Sequence, residues 1–164
     1  MSFVVMGVSG CGKTTVGQLL ASRLGLEFLD GDHFHPESNI KKMQSGTPLT
    51  DEDRLPWLNS LSENSVALGP CVLGCSALKK RYRDVIRSHA VGPLSFVWLK
   101  GTKDLLLGRV SSRKGHFMPA SLLDSQFAAL EPLDETEEGI IAELDTFASL
   151  EDLVDFIVLK IRTR

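Results

Sequence analysis

The chain has 164 residues, 43% of them hydrophobic and 24% charged, with a formal net charge of 18 − 21 = −3. That is the length of one domain with a sizeable core and the composition of an ordinary globular protein. It excludes a disordered chain, a collagen-like repeat and a coiled coil, and the excess of acids weighs against a dedicated DNA-binding domain.

In chain order, residues 3–6 form a short apolar run that predicts a buried strand. Residues 14–24 carry Val16, Leu19, Leu20 and Leu24 at helical spacing, with Gly25 as a stop. Residues 27–30 predict a second strand, and 36–46 and 51–68 predict helices. Thr50 precedes three acids and is a fitting cap for the second of these, because its hydroxyl accepts a bond from an unpaired backbone N–H. A third strand is expected at 72–74, a basic helix at 77–89, a fourth strand at 94–99 and a helix at 102–113. A helix at 120–130, a strand at 139–144 and a closing helix at 150–162 complete the chain. Alternating strands and helices predict a parallel sheet covered on both faces, with ligands at the carboxyl ends of the strands.

Charge is segregated. Residues 79–114 hold ten Lys/Arg and two acids, and residues 131–155 hold ten acids and no Lys or Arg. The basic segment suggests an anionic ligand of limited size, and the acidic one reads as a solvated outer face. The three cysteines, Cys11, Cys71 and Cys75, lack the paired spacing of a disulfide framework or a zinc site, which fits a cytoplasmic protein. The apolar run after Met1 is too short to cross a membrane and lacks a basic leader.

Gly7-Val8-Ser9-Gly10-Cys11-Gly12-Lys13-Thr14 fits G-x-x-x-x-G-K-[ST] and lies between a predicted strand and a predicted helix. Glycines let successive backbone N–H groups curl around phosphate oxygens, the helix N-terminus adds a positive dipole end, Lys13 reaches the terminal phosphates, and the Thr14 hydroxyl suits Mg²⁺. No Asn-Lys-x-Asp string marks a GTPase, and the third strand ends in Cys75-Ser76 rather than an acid, unlike an ATPase motor. The second strand ends in Asp30-Gly31-Asp32. That placement suits a small-molecule kinase, in which one carboxylate supports Mg²⁺ and the other orients and deprotonates an acceptor hydroxyl; a simple Asp-Gly turn is the plain alternative. His33 and His35 follow as polar candidates for substrate contact. Residues 109–119 place arginines before Gly115 and Pro119 and read as a mobile lid over ATP, centred on 113–120.

These residues resemble the gluconokinases, of the shikimate-kinase-like group of P-loop kinases. The likeness runs through residues 6–14, the Leu-Asp-Gly-Asp-His-Phe-His-Pro string ending at Pro36, and Asn39-Ile40-Lys41-Lys42-Met43. It continues through Gly46-Thr47-Pro48-Leu49, residues 51–58, Cys75-Ser76-Ala77-Leu78-Lys79-Lys80, Tyr82-Arg83-Asp84, residues 114–118 and Gln126-Phe127. It implies a three-layer αβα P-loop NTPase fold with a five-stranded parallel sheet and a short mobile lid, as one kinase domain over residues 1–164. It further implies phosphorylation of D-gluconate to 6-phospho-D-gluconate by ATP with Mg²⁺, in a protein often found as a homodimer.

By position, the resemblance assigns Gly7, Val8, Ser9, Gly10, Cys11, Gly12, Lys13, Thr14 and Thr15 to ATP, with Arg109 against the adenine. It makes Thr14 and Asp30 the Mg²⁺ residues, Asp32 the candidate base beside Lys13, and Arg113 the lid arginine. His35, Arg54, Lys79, Arg83 and His116 fall on the substrate side, where a carboxylate calls for a cation. Between Trp57 and Cys75 the chain is several residues shorter than the family pattern, so a truncated helix or a tight turn is expected there. The alternatives are a kinase of another acceptor such as shikimate or a nucleoside monophosphate, a non-catalytic nucleotide-binding module, and polynucleotide binding by residues 79–114, which lacks supporting aromatics beyond Tyr82 and Trp98.

Overall fold

The computed structural model describes residues 1–112 and 122–164. The five predicted strands are observed as β1 (Ser2–Met6), β2 (Glu27–Asp30), β3 (Cys71–Gly74), β4 (Leu94–Lys100) and β5 (Gly139–Glu143). They form one sheet in the order β2-β3-β1-β4-β5, and every neighbouring pair is parallel. Parallel neighbours need crossovers, and helices supply them. The helices among the described residues are α1 (Lys13–Leu24), α2 (Glu37–Gln44), α3 (Asp51–Glu63), α4 (Lys80–His89), α5 (Lys103–Ser112), α6 (Leu122–Ala129) and α7 (Leu150–Arg162).

The two-residue period of a strand divides the core into two layers. Phe3 and Val5 of β1 pack with Val16 and Leu20 of α1 and with Val154 and Ile157 of α7. Val4 and Met6 face the other way, onto Trp57, Leu58 and Leu61 of α3 and Tyr82 and Ile86 of α4. All five residues of β1 are buried, as suits the middle strand, whereas the edge strand β5 alternates buried and exposed. No helix among the described residues is long and apolar enough to cross a membrane.

Two helix boundaries depart from expectation by three residues or more. α3 ends at Glu63, and residues 64–68 turn instead of continuing to 68. The Ser62 hydroxyl donates to the Leu58 carbonyl (2.6 Å) and that of Ser65 to the Leu61 carbonyl, so side chains meet acceptors as the helix winds down. Its other end starts where Thr50 predicted: Asp53 N–H donates to Thr50 Oγ1 (3.1 Å) and Thr50 N–H to the Asp53 carboxylate (2.9 Å). α4 begins at Lys80 rather than 77, because residues 77–79 form a bent exit from β3 in which Ala77 has φ +45°. Glu131, from the acidic segment, accepts from the Lys80 N–H (2.9 Å) at that helix start.

Candidate active site

A cavity of about 410 Å³ opens at the carboxyl ends of β1, β2 and β3, the place a parallel sheet reserves for ligands. One end is the loop after β1, where Ser9, Gly10, Gly12, Lys13, Thr14 and Thr15 form the wall. The loop depends on its glycines. Gly7 has φ +147°, and a Cβ there would lie 2.7 Å from Cys11 Sγ; Gly10 has φ +84°, and its Cβ would lie 2.8 Å from Val110 Cγ2. Among the described residues no side chain caps α1, and its first turn holds no acid, so its N–H groups and positive end are directed at the cavity. That backbone fits a polyphosphate. Lys13 Nζ spans the loop and donates to the carbonyls of Gly7 (3.0 Å) and Val8 (3.2 Å). Val8 and Cys11 lie buried beneath the loop rather than in its wall. Arg109, on α5, lines the same end.

The other end is assembled from several elements. Asp32 reaches the wall from a single 3₁₀ turn, Gly31–Phe34, directly after β2. Asp30 is not in the wall; its Oδ1 accepts from the Asp32 N–H (2.9 Å) and so caps the turn that displays Asp32. Trp57 Nε1 donates to the Gly31 carbonyl (2.7 Å) and fixes that turn against α3. His35 stacks on Trp57, with ring centroids 4.1 Å apart and planes 12° apart. Burial, and next the positive charge of Arg54, lower the His35 pKa to about 4, so the ring is neutral near pH 7. Arg54 lines the cavity with its Nη1 donating to the Leu49 carbonyl (2.6 Å) and the Tyr82 hydroxyl (3.3 Å). His33 is turned outward, its side chain 80% exposed.

The remaining predicted cations separate. Lys79 lies in an adjoining depression of about 280 Å³ shared with Arg54, and its Nζ is 3.3 Å from Asp51 Oδ1. Arg83 is fully buried and does not reach the cavity. Its Nε and Nη2 each lie 2.7 Å from a Glu137 oxygen, and its Nη1 donates to the Ala77 (2.9 Å) and Leu78 (3.2 Å) carbonyls. With its N–H groups engaged in this way, Arg83 clamps the bent exit from β3. Burial alone would raise the Glu137 pKa, but hydrogen bonds from Arg83 and Arg87 outweigh it and hold the carboxyl well below its usual range. Glu137 therefore corrects the reading of residues 131–155 as wholly solvated: it is a buried partner inside that segment. Arg113, His116 and the lid at 113–120 lie outside the described residues.

Three wall residues carry no motif signal of their own. Ser76 follows β3, and its carbonyl accepts from the Gly7 N–H (3.3 Å), tying the two loops together. Gln126 of α6 accepts from the Ser9 N–H (2.7 Å), and Trp57 supports the acidic turn. Gln126-Phe127 was visible only as part of the family resemblance.

A glycine-rich loop at the end of β1, wrapped toward the start of α1 and facing a carboxylate across one cavity, defines a P-loop kinase. A model of the shikimate kinase family matches residues 9–154. The gluconokinase of Gluconobacter oxydans is 52% identical over 141 residues, covering 84% of this chain and 79% of its own. A probable gluconokinase of Mus musculus is 48% identical over 162 residues, with 87% and 88% covered. The crystal structure of a sugar kinase from Janibacter superposes with a TM-score of 0.89 at 47% identity, covering 96% of this chain and 92% of that one. The chain belongs to the gluconokinases, within the shikimate-kinase-like family of P-loop kinases.

Proposed function

We propose that the chain transfers the terminal phosphoryl group of ATP to D-gluconate, giving 6-phospho-D-gluconate. The observation that carries this reading is the single cavity that joins the phosphate-binding loop to Asp32, His35 and Arg54. Phosphoryl transfer asks little covalent chemistry of a protein; it needs the two substrates in line and the charge neutralised.

At the nucleotide end, the loop N–H groups and Lys13 hold and neutralise the phosphates, and Arg109 flanks the adenine. At the acceptor end, Asp32 receives the proton of the attacking hydroxyl, and Arg54 meets the sugar-acid carboxylate. Arg54 suits this role because its guanidinium is held in place by the Leu49 carbonyl and lies 5.4 Å from the Tyr82 ring centroid. Thr14 offers a hard oxygen donor in the wall and Asp30 supports it from behind the acidic turn, a pair that suits Mg²⁺, which would neutralise charge on the phosphates and leaves Asp32 for the acceptor hydroxyl. We read the chain as one kinase domain, cytoplasmic and homodimeric; three free cysteines support the compartment, and the dimer rests on the family resemblance.

A coupled assay of ADP release across gluconate, shikimate and nucleoside monophosphates, with Mg-ATP, tests the reading. Gluconate is expected to give the highest kcat/KM. Preference for another acceptor overturns the substrate, and ATP binding without acceptor-dependent ADP release overturns the enzyme.

A further inference from the structure

We propose that His35 recognises an acceptor hydroxyl as a neutral hydrogen-bond donor through Nε2–H, and that Asn39 is the positioning residue that keeps the proton on that nitrogen. The proposal rests on the kinase reading and assigns the acceptor end a second, uncharged contact beside Arg54.

Donor and acceptor rules fix the tautomer. Asn39 is buried, at 2% exposure, where α2 meets α3. Its Nδ2 lies 2.9 Å from the backbone carbonyl of Asp53. A carbonyl only accepts, so the amide nitrogen, not the amide oxygen, must face it. The same Nδ2 lies 3.2 Å from His35 Nδ1 and points its second N–H at it. That contact is a hydrogen bond only when Nδ1 carries a lone pair, so the proton sits on Nε2. An imidazolium, or the other tautomer, would set two N–H groups against each other in a dry place.

Packing removes the remaining freedom. Trp57 covers one ring face, and Trp57 is itself pinned to the Gly31 carbonyl. A ring flip would remove Nδ1 from Asn39 and is opposed by both contacts. His35 still lines the cavity, with Nδ1 committed to Asn39 and Nε2–H left for a ligand. Arg54, a permanent cation in the same wall, favours the neutral ring and is itself the better partner for a carboxylate. The division follows: Arg54 for the acid group, His35 for a hydroxyl, Asp32 for the reacting hydroxyl. A site built to bond a hydroxyl discriminates against an analogue lacking it, because the donor is left unpaired.

Two measurements decide this. In ¹⁵N spectra of the imidazoles, the pair of signals missing from His35→Phe identifies His35. The wild type is expected to show a bare Nδ1 and a protonated Nε2, and Asn39→Leu a mixture of tautomers. A protonated Nδ1 in the wild type overturns the role of Asn39. In steady-state kinetics His35→Phe, which keeps the stack on Trp57, is expected to raise KM for gluconate at least about tenfold and to leave KM for ATP within twofold. His35→Gln, whose amide N–H stands near the place of Nε2–H, is expected to recover most of that loss. An unchanged KM for gluconate in His35→Phe overturns the hydroxyl contact while gluconate turnover itself stands. Absence of gluconate turnover in the wild type overturns the substrate reading and the hydroxyl contact together, and the spectra then still decide the tautomer.

Discussion

The two ends of the cavity are built in different ways. The nucleotide end is mostly backbone from one continuous loop, shaped by glycines and backed by the start of α1. The acceptor end is made of side chains from separate elements: Asp32 after β2, His35 before α2, and Arg54 and Trp57 on α3. A backbone cradle accepts any polyphosphate, because every residue supplies the same N–H. A side-chain cage can be altered one residue at a time without disturbing the sheet. On the proposed reading, substrate choice belongs to the second end and phosphate chemistry to the first.

The sharpest way to break this contrast is a pair of variants, one from each end. Asp32→Asn keeps the shape of the acceptor wall and removes the proton acceptor, so kcat is expected to fall about 10²–10⁴-fold with nucleotide affinity nearly unchanged. Lys13→Ala is expected to cost about 10²–10³ in kcat and to weaken nucleotide binding, with KM for gluconate little affected. Single-turnover kinetics and nucleotide titration separate the two patterns. Wild-type turnover in Asp32→Asn would remove Asp32 as base, and loss of gluconate affinity in Lys13→Ala would show that the ends are not separable.

How much was legible in the sequence follows the same division. The phosphate loop is local, so eight consecutive residues and their flanking periodicity sufficed to place it, and β2 and α7 were expected at their observed bounds. Asp32 was legible because a strand end delivers whatever follows it. The rest depends on partners far apart in the chain. Ser9 and Gln126 are 117 positions apart, and Arg83 and Glu137 are 54 apart. Nothing local told Arg83 from Arg54, since each is a cation near an apolar run. Only packing shows that one is enclosed by Glu137 and two carbonyls while the other faces the cavity. The short segment before Cys75 announced a truncated helix or a tight turn, but not the residue at which α3 stops, because the hydroxyls of Ser62 and Ser65 bond to its carbonyls only once the chain is folded.

Arg83 gives the next largest effect. If it supports the acceptor end from behind, Arg83→Leu leaves the Glu137 carboxylate buried without its main partner and costs about 3–5 kcal/mol of stability. A urea unfolding curve reads that loss as a lower midpoint, and protein that stays folded at low temperature is expected to keep its KM for gluconate within a few-fold. Near-native stability with a greatly raised KM would return Arg83 to the substrate.

The smallest effect concerns pH and separates the ends once more. The loop's backbone N–H groups do not titrate, whereas His35 at the acceptor end is held neutral with its pKa lowered from 6.5 to about 4. Between those two values the unfolded chain binds a proton at this position that the native chain refuses, so stability rises with pH across the window. The contribution is complete above about pH 6.5 and is lost as pH falls through 4, on the order of 1–3 kcal/mol in all. His35→Gln removes the titrating group, and its urea midpoint is expected to fall less than that of the wild type between pH 7 and 4.5. Parallel curves would mean that His35 takes up its proton in the native state as readily as in the unfolded one. The acceptor end would then carry a second charge at mildly acidic pH, and the neutral donor assigned to it there would be lost.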